Sequence, residues 1–291
     1  MCELAEIIKA FAKRENCIIG VCGGEALSHI QGRNTPFVSS NILKRTDPAA
    51  SLSGAKSIIV IGVEPTIENH PPMPEGAGIL SVLGVAEDYH VVIKALLKKL
   101  VAELLQHMKF AYKILVDSPN LDERALAVRA GLGYIGRSGL VISPEYGSRF
   151  NIGLLLTDIS VSDNGRDDER RNCPQNCRKC INACPTGALS ESNGLNPARC
   201  ISYLTQKDNL TQEEALLIRH HLYGCDICQN VCPKNRPHGA AWASPNDWLS
   251  MSDSDFVKRY GHTAMMWRGA AILRRNAKIV AGQDCQALPQ N

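Results

Sequence analysis

The chain has 291 residues, 44% of them hydrophobic, with 32 basic against 29 acidic side chains and a formal charge of +3. That length suits two packed domains rather than one small module. No run approaches the ~18 apolar residues of a membrane span, the acidic start Met1-Cys2-Glu3 is unlike a secretory leader, and the charge excess is too mild to argue for nucleic acid from composition alone. A soluble, cytoplasmic protein with no membrane association is the expectation.

Residues 3–15 read as an amphipathic helix, with Leu4, Ile7, Ile8 and Phe11 opposite Glu3, Glu6, Lys9, Lys13 and Arg14. A looser stretch rich in Gly, Ser and Asn runs on to Lys44-Arg45-Thr46-Asp47-Pro48. The β-branched run 57–63, stopped by Glu64-Pro65, predicts a buried strand, and residues 66–78, with three prolines, a loop. Helical spacing of Val92, Ala95, Leu96, Leu100 and Leu104 predicts a long helix from Asp88 to about Phe110. Residues 113–117 read as a strand ending at Ser118-Pro119, and residues 122–130 as a helix with Gly131 as its left-handed cap. Extended segments at 139–143 and 151–157 complete an α/β or α+β domain, and the charged stretch 162–171 reads as a linker. The resulting partition is 1–161, 162–240 and a helical tail, 241–291.

Of the 12 cysteines, eight lie between Cys173 and Cys232, which points to metal rather than to a disulfide framework. They form Cys173-Pro-Gln-Asn-Cys177-Arg-Lys-Cys180-Ile-Asn-Ala-Cys184-Pro185 and Cys225-Asp-Ile-Cys228-Gln-Asn-Val-Cys232-Pro233, with Cys200 between. In two-cluster ferredoxin-like modules, three closely spaced thiolates hold one cubane and the fourth, just before proline, reaches the other. Cys173, Cys177, Cys180 and Cys232 would then hold one 4Fe–4S cluster, and Cys184, Cys200, Cys225 and Cys228 the second. Structural zinc is the alternative, but it leaves the repeated Cys-x-x-x-Cys-Pro endings unexplained. Cys2, Cys17, Cys22 and Cys285 lack such spacing and read as incidental thiols.

Val116-Asp117-Ser118-Pro119 through Glu123-Arg124-Ala125 to Gly131-Leu132-Gly133-Tyr134-Ile135-Gly136-Arg137 closely resembles the matching stretch of the epoxyqueuosine reductases. Arg45-Thr46-Asp47-Pro48, Asp88-Tyr89-His90, Glu145-Tyr146-Gly147-Ser148, Arg199-Cys200-Ile201-Ser202 and Gly224-Cys225-Asp226 look like the same family in the same order, so the resemblance spans about residues 40–282. It implies an α+β fold: a nitroreductase-like α/β cobalamin domain followed by a ferredoxin-like double 4Fe–4S module. It also implies an iron–sulfur and cobalamin-dependent oxidoreductase that reduces epoxyqueuosine to queuosine in tRNA, fed by an external donor such as ferredoxin or flavodoxin.

By the same resemblance Asp117 is the proton donor near the cobalt, a strand-end carboxyl whose pKa an apolar cofactor would raise. The alternative is an aspartate that caps the Ser118-Pro119 turn. Arg45, Val141, Ser202 and Asp226 are implied as cobalamin contacts, each with a surface or packing role as the alternative. Three departures stand out. The Cys173-x3-Cys177 step is one residue longer than the family's usual spacing, which leaves open whether Cys173 ligates. Leu83-Gly84-Val85-Ala86-Glu87 and Arg137-Ser138-Gly139 replace usual aromatic, basic and Lys-Asn residues. Many members also continue into helical repeats that help hold tRNA, and their absence would weaken RNA binding. Lys258, Arg259, Arg268, Arg274, Arg275 and Lys278 then read as a basic cluster for phosphates or a solvated helix face. A second function, a ferredoxin-like electron-transfer or corrinoid-reducing partner without its own tRNA substrate, stands beside the reductase.

Overall fold

The structure is a computed structural model that describes residues 2–30, 35–66, 71–162, 173–192, 194–237 and 241–283. Most of the expected linker 162–171 lies outside the described residues, as does Cys285. Helices and strands mix throughout, as an α+β fold requires. The chain divides into two units that interleave in sequence: Met1–Glu64, His90–Cys177 and Pro233–Arg236 form the first, and Pro65–Tyr89, Arg178–Cys232 and Pro237–Asn291 the second. A contiguous partition at 161 and 240 does not express this interleaving, because residues 65–89 group with the cysteine-bearing unit.

The first unit is built on a four-stranded antiparallel sheet, ordered Ile18–Gly23, Ser57–Val63, Asn151–Thr157 and Tyr112–Val116. Ser57–Val63 is a central strand buried along nearly its whole length, which is why it reads as an unbroken β-branched run rather than an alternating one. On one face the helix Glu123–Arg129 packs Leu126 and Ala127 against Ile58, Val60, Leu154 and Leu156. The strand Ile18–Gly23 falls in the stretch expected to be loose. Its glycines hid it: a Cβ at Gly20 would lie 2.0 Å from the Ala130 carbonyl oxygen, so the close approach of the chain requires glycine where a strand signal would carry a branched side chain.

Other expectations hold with shifted ends. The first helix is Cys2–Arg14, and the long helix is Tyr89–Leu104, stopping where the last fully buried position, Leu104, is reached. Gly131 adopts φ +77°, the left-handed conformation expected after the helix Glu123–Arg129. Of the extended segment at 139–143, Val141–Ile142 forms a strand, paired with Tyr134–Ile135.

The second unit holds a three-stranded sheet ordered His221–Tyr223, Gly78–Leu80 and Ala241–Ala243. Residues 241–291, expected as a helical tail, supply one of these strands and then the helices Pro245–Ser250, Asp253–Tyr260 and Gly269–Gln283. They are core, not appendage: Trp248, Phe256, Leu273, Ala277 and Val280 pack with Leu80, Leu222 and Tyr223. Fully buried Asn276 donates to the carbonyls of Thr205 and Leu222, 2.8 Å each. The expected basic cluster is correspondingly reduced. Arg274 donates to the carbonyls of Trp248 and Met251 and pairs with Asp253, Arg275 donates to those of Lys207 and Asp208, and Arg268 pairs with Asp208. Those three guanidinium groups tie the unit together, and Lys258, Arg259 and Lys278 are left as exposed cations. No described helix is long and apolar enough to cross a membrane.

Candidate functional site

In the first unit the edge strand Tyr112–Val116 ends at Asp117, which turns the chain at φ +50°. A left-handed backbone is strained for any residue but glycine, although aspartate tolerates it better than most. The Asp117 side chain is 67% exposed, and one carboxylate oxygen stands 3.6 Å from the His90 Nε2 on the helix Tyr89–Leu104. Within the protein itself Asp117 stands out into solvent, since the apolar surroundings expected for it are those of a cofactor.

The second acid of this corner is Glu123, half-buried and the first residue of the next helix. Its Oε1 accepts from the Ser118 amide at 3.0 Å, and the Asp117 amide also points at it. Burial first, and then the charge of Asp117, push the Glu123 carboxyl up to about 8, against the opposing pull of those amides and of Arg124. Helix capping falls to neither: the Asp122 side chain accepts from the Ala125 amide at 3.1 Å. Sequence reasoning missed Glu123, although it was quoted within the motif. The available signal was a carboxylate at the first position of a short helix just after a Ser-Pro turn, where free amides converge.

Arg45 and Val141 belong to the same unit. Arg45 is buried, and its carbonyl accepts from the Asp122 amide at 3.1 Å, so this residue supports the Asp117–Glu123 corner from behind. Val141 lies in the core with Leu126 and Leu154. Arg124 donates to the Gly139 carbonyl at 3.0 Å and fixes the segment leading to Val141 on the same helix.

Cys173 also lies in the first unit, where its Sγ accepts from the Arg137 amide at 3.4 Å while the Arg137 guanidinium donates to the Gln175 carbonyl at 2.9 Å. In the second unit, Cys180 rides on the helix Lys179–Ala183, which packs on Ile227–Asn230, the helix carrying Cys228. The thiols acting on Cys225 are Cys200 and Cys184, and those acting on Cys228 include Cys225, Cys200 and Cys180. Burial, reinforced by these neighbours, pushes Cys225 up to about 12 and Cys228 higher still. Cys184 goes the other way. Burial favours its thiol form, but the Thr186 hydroxyl, 3.6 Å away, and the amides of Thr186, Leu189 and Ala188 outweigh that and pull it below the usual thiol range.

All eight of these cysteines are half-buried thiols. Crowded thiols that resist ionising together, one of them ringed by amide donors, are what a cationic iron–sulfur core is suited to neutralise. Asp226, between two of them, has its carboxylate engaged internally, accepting from the Val82 amide at 2.7 Å and the Gln229 side chain at 3.1 Å. Ser202 is half-buried, and its carbonyl accepts from Thr205 and Gln206 side chains.

Comparison with known proteins accords with this chemistry. Residues 172–235 match the family described as "4Fe-4S double cluster binding domain", so the protein is an iron–sulfur protein with a two-cluster domain. Residues 45–118 match the family described as "Epoxyqueuosine reductase QueG, DUF1730". An epoxyqueuosine reductase of Bacillus anthracis is 35% identical over 273 residues, 87% of this chain and 71% of that protein. A crystal structure of an epoxyqueuosine reductase with an epoxyqueuosine-modified tRNA-Tyr stem loop superposes with a TM-score of 0.87 at 30% identity, covering 96% of this chain and 80% of that one. A Bacillus subtilis epoxyqueuosine reductase, solved with the catalytic loop of its aspartate swung out of the active site, gives 0.83 at 28% identity, covering 95% and 81%. The chain belongs to the epoxyqueuosine reductase family and is an oxidoreductase.

Proposed function

We propose that this protein reduces the epoxide of epoxyqueuosine to the alkene of queuosine in tRNA, taking electrons through two 4Fe–4S clusters from a ferredoxin or flavodoxin. The observation that carries the reading is the eight-cysteine set within residues 172–235, matched to a double 4Fe–4S cluster domain, in a chain of this family. Cys173, Cys177, Cys180 and Cys232 are assigned to the other cluster. Removing the epoxide oxygen as water takes two electrons and two protons, which the clusters and acidic side chains must deliver.

Cobalamin, when bound, supplies a nucleophilic metal for the epoxide carbon. By the family resemblance Asp117, Arg45 and Val141 of the first unit and Ser202 and Asp226 of the second would contact it. In the first unit the exposed Asp117 carboxyl is the accessible polar group, with Arg45 and Val141 buried; in the second Ser202 is half-buried, and Asp226 would hold the 3-10 turn Val82–Gly84 in register. Asp117 is the group assigned to carry a proton to the epoxide oxygen, since its carboxyl is exposed to an incoming substrate and His90 lies beside it.

The test is anaerobic. With clusters reconstituted, added cob(II)alamin should change to a base-off electron paramagnetic resonance signal, and an epoxyqueuosine-containing tRNA stem loop should be converted to the queuosine form. An unchanged free-cobalamin spectrum beside intact cluster signals would leave an electron carrier instead.

A further inference from the structure

We propose that Trp267, in the second unit, is a stacking platform for an unpaired nucleobase of the RNA substrate. The inference rests on the reading of tRNA as that substrate. Of the three tryptophans, Trp248 is fully buried and Trp242 half-buried, whereas Trp267 is 50% exposed. A single exposed apolar side chain needs no explanation, but this one is held in a fixed orientation while much of its ring stays in water.

The 3-10 helix Ala264–Arg268 is anchored by buried Ala264 and Met265. The indole Nε1 donates to the Gln206 Oε1 at 3.1 Å, and the same oxygen accepts from the Tyr223 hydroxyl at 3.4 Å. The Gln206 Nε2 in turn donates to the Ser202 carbonyl at 2.8 Å, so both ends of this amide are committed and the polar edge of the indole is fixed with it. The Arg268 guanidinium lies 4.7 Å from the ring centroid and pairs with Asp208, which backs the ring with a cation. A ring tied at its edge and backed in this way has lost its rotamer freedom before any ligand arrives, and that lowers the entropic cost of stacking on it.

Charge selects the occupant. The helix Asp253–Tyr260 packs on the same 3-10 helix, and its last turn carries the exposed cations Lys258 and Arg259. The carboxylates of Asp208 and Asp253 on this side are paired with Arg268 and Arg274. An aromatic face beside exposed cations is the combination that grips unpaired bases together with their phosphates. Gln206 also ties the ring to Ser202, two residues after Cys200, so the platform stands beside a cysteine-bearing segment of this unit.

Binding of the epoxyqueuosine stem loop to cluster-reconstituted protein, measured without cobalamin and over a series of salt concentrations, reads this contact without turnover. Trp267→Ala should weaken binding by about 5- to 150-fold, the worth of one stacked base, and by the same factor at every salt concentration, because stacking releases no counterions. Trp267→Phe, which keeps an aromatic face, should recover most of that loss. Equal affinity in wild type and Trp267→Ala would overturn the proposal. So would an equally large loss in Trp267→Phe, which would assign the effect to the Gln206 hydrogen bond. Unaltered RNA binding with a raised KM for reduced flavodoxin would overturn it too, giving this surface to an acidic electron-donor protein. Failure of the underlying reading looks different: the wild-type protein itself would not bind the stem loop.

Discussion

Glu123 in the first unit and Cys225 with Cys228 in the second face the same physical difficulty and are equipped to meet it differently. Each is an acid withdrawn from water beside other groups of like charge, and burial leads the upward shift in every case. For Glu123 a proton suffices, because one neutral carboxyl can still accept the Ser118 amide. For the cysteines a proton leaves crowded thiols with no use, and a cationic iron core turns the same crowding into a ligand set. Like burial thus marks a proton-holding site in one place and a metal-holding site in the other, and the difference lies in what the neighbours are: one carboxylate against several thiols.

The sharpest way to break the comparison is to remove the metal side. Cys228→Ala should lower the iron content of anaerobically reconstituted protein from about eight atoms to about four, with a matching loss of brown absorbance. Retention of eight would show that Cys228 is no ligand. Next in size, Asp117→Asn should slow conversion of the epoxyqueuosine stem loop by about 10²–10⁴-fold, the usual worth of a positioned acid, with iron content unchanged. Equal turnover would return Asp117 to the role of a turn residue.

A smaller effect separates the proton from the metal. Because the Glu123 carboxyl is raised from an ordinary 4.5 to about 8, the folded protein holds this proton over a range in which the unfolded chain has released it. Its contribution to stability is fully present below about pH 4.5 and is lost progressively as pH rises through 8. Denaturant unfolding should accordingly show wild type losing stability relative to Glu123→Gln across that window, with the two curves parallel below it. Parallel curves throughout would mean that Glu123 ionises normally.

Much of this was legible in the sequence, and unevenly so. The central strand Ser57–Val63, the helix after Asp122 and the left-handed Gly131 follow from local rules, and the cysteine spacing named its own chemistry. The strand Ile18–Gly23 was hidden, because Gly20 serves a contact with Ala130, more than 100 residues away, and local propensity has no term for that. Asp117 was found by motif, whereas Glu123 was passed over as a site residue, since only the fold decides which of two carboxylates six residues apart is the less exposed. The arginines of the last helix looked like a phosphate surface because sequence shows charge and not partners, and Arg274 and Arg275 have theirs in backbone carbonyls.

The finest distinction concerns Cys173, whose extra residue before Cys177 sets it apart from the usual spacing. The longer loop, Pro174-Gln175-Asn176, is held at both ends: the Cys177 amide donates to the Pro174 carbonyl at 2.9 Å, and Arg137 grips the Gln175 carbonyl with its guanidinium. The same residue's amide reaches the Cys173 sulfur, so one residue fixes both the loop and the thiol it presents. Arg137→Ala keeps the amide and loses only the grip, and a single such hydrogen bond is worth about 1 kcal/mol. Iron content should therefore stay near eight atoms, while iron release to an added chelator speeds up by about fivefold, the rate equivalent of that energy. Cys173→Ala should instead lose about half of the iron outright. If Cys173→Ala keeps all of it, the enlarged loop has removed this thiol from the ligand set, and Arg137 braces a loop that no longer serves a cluster.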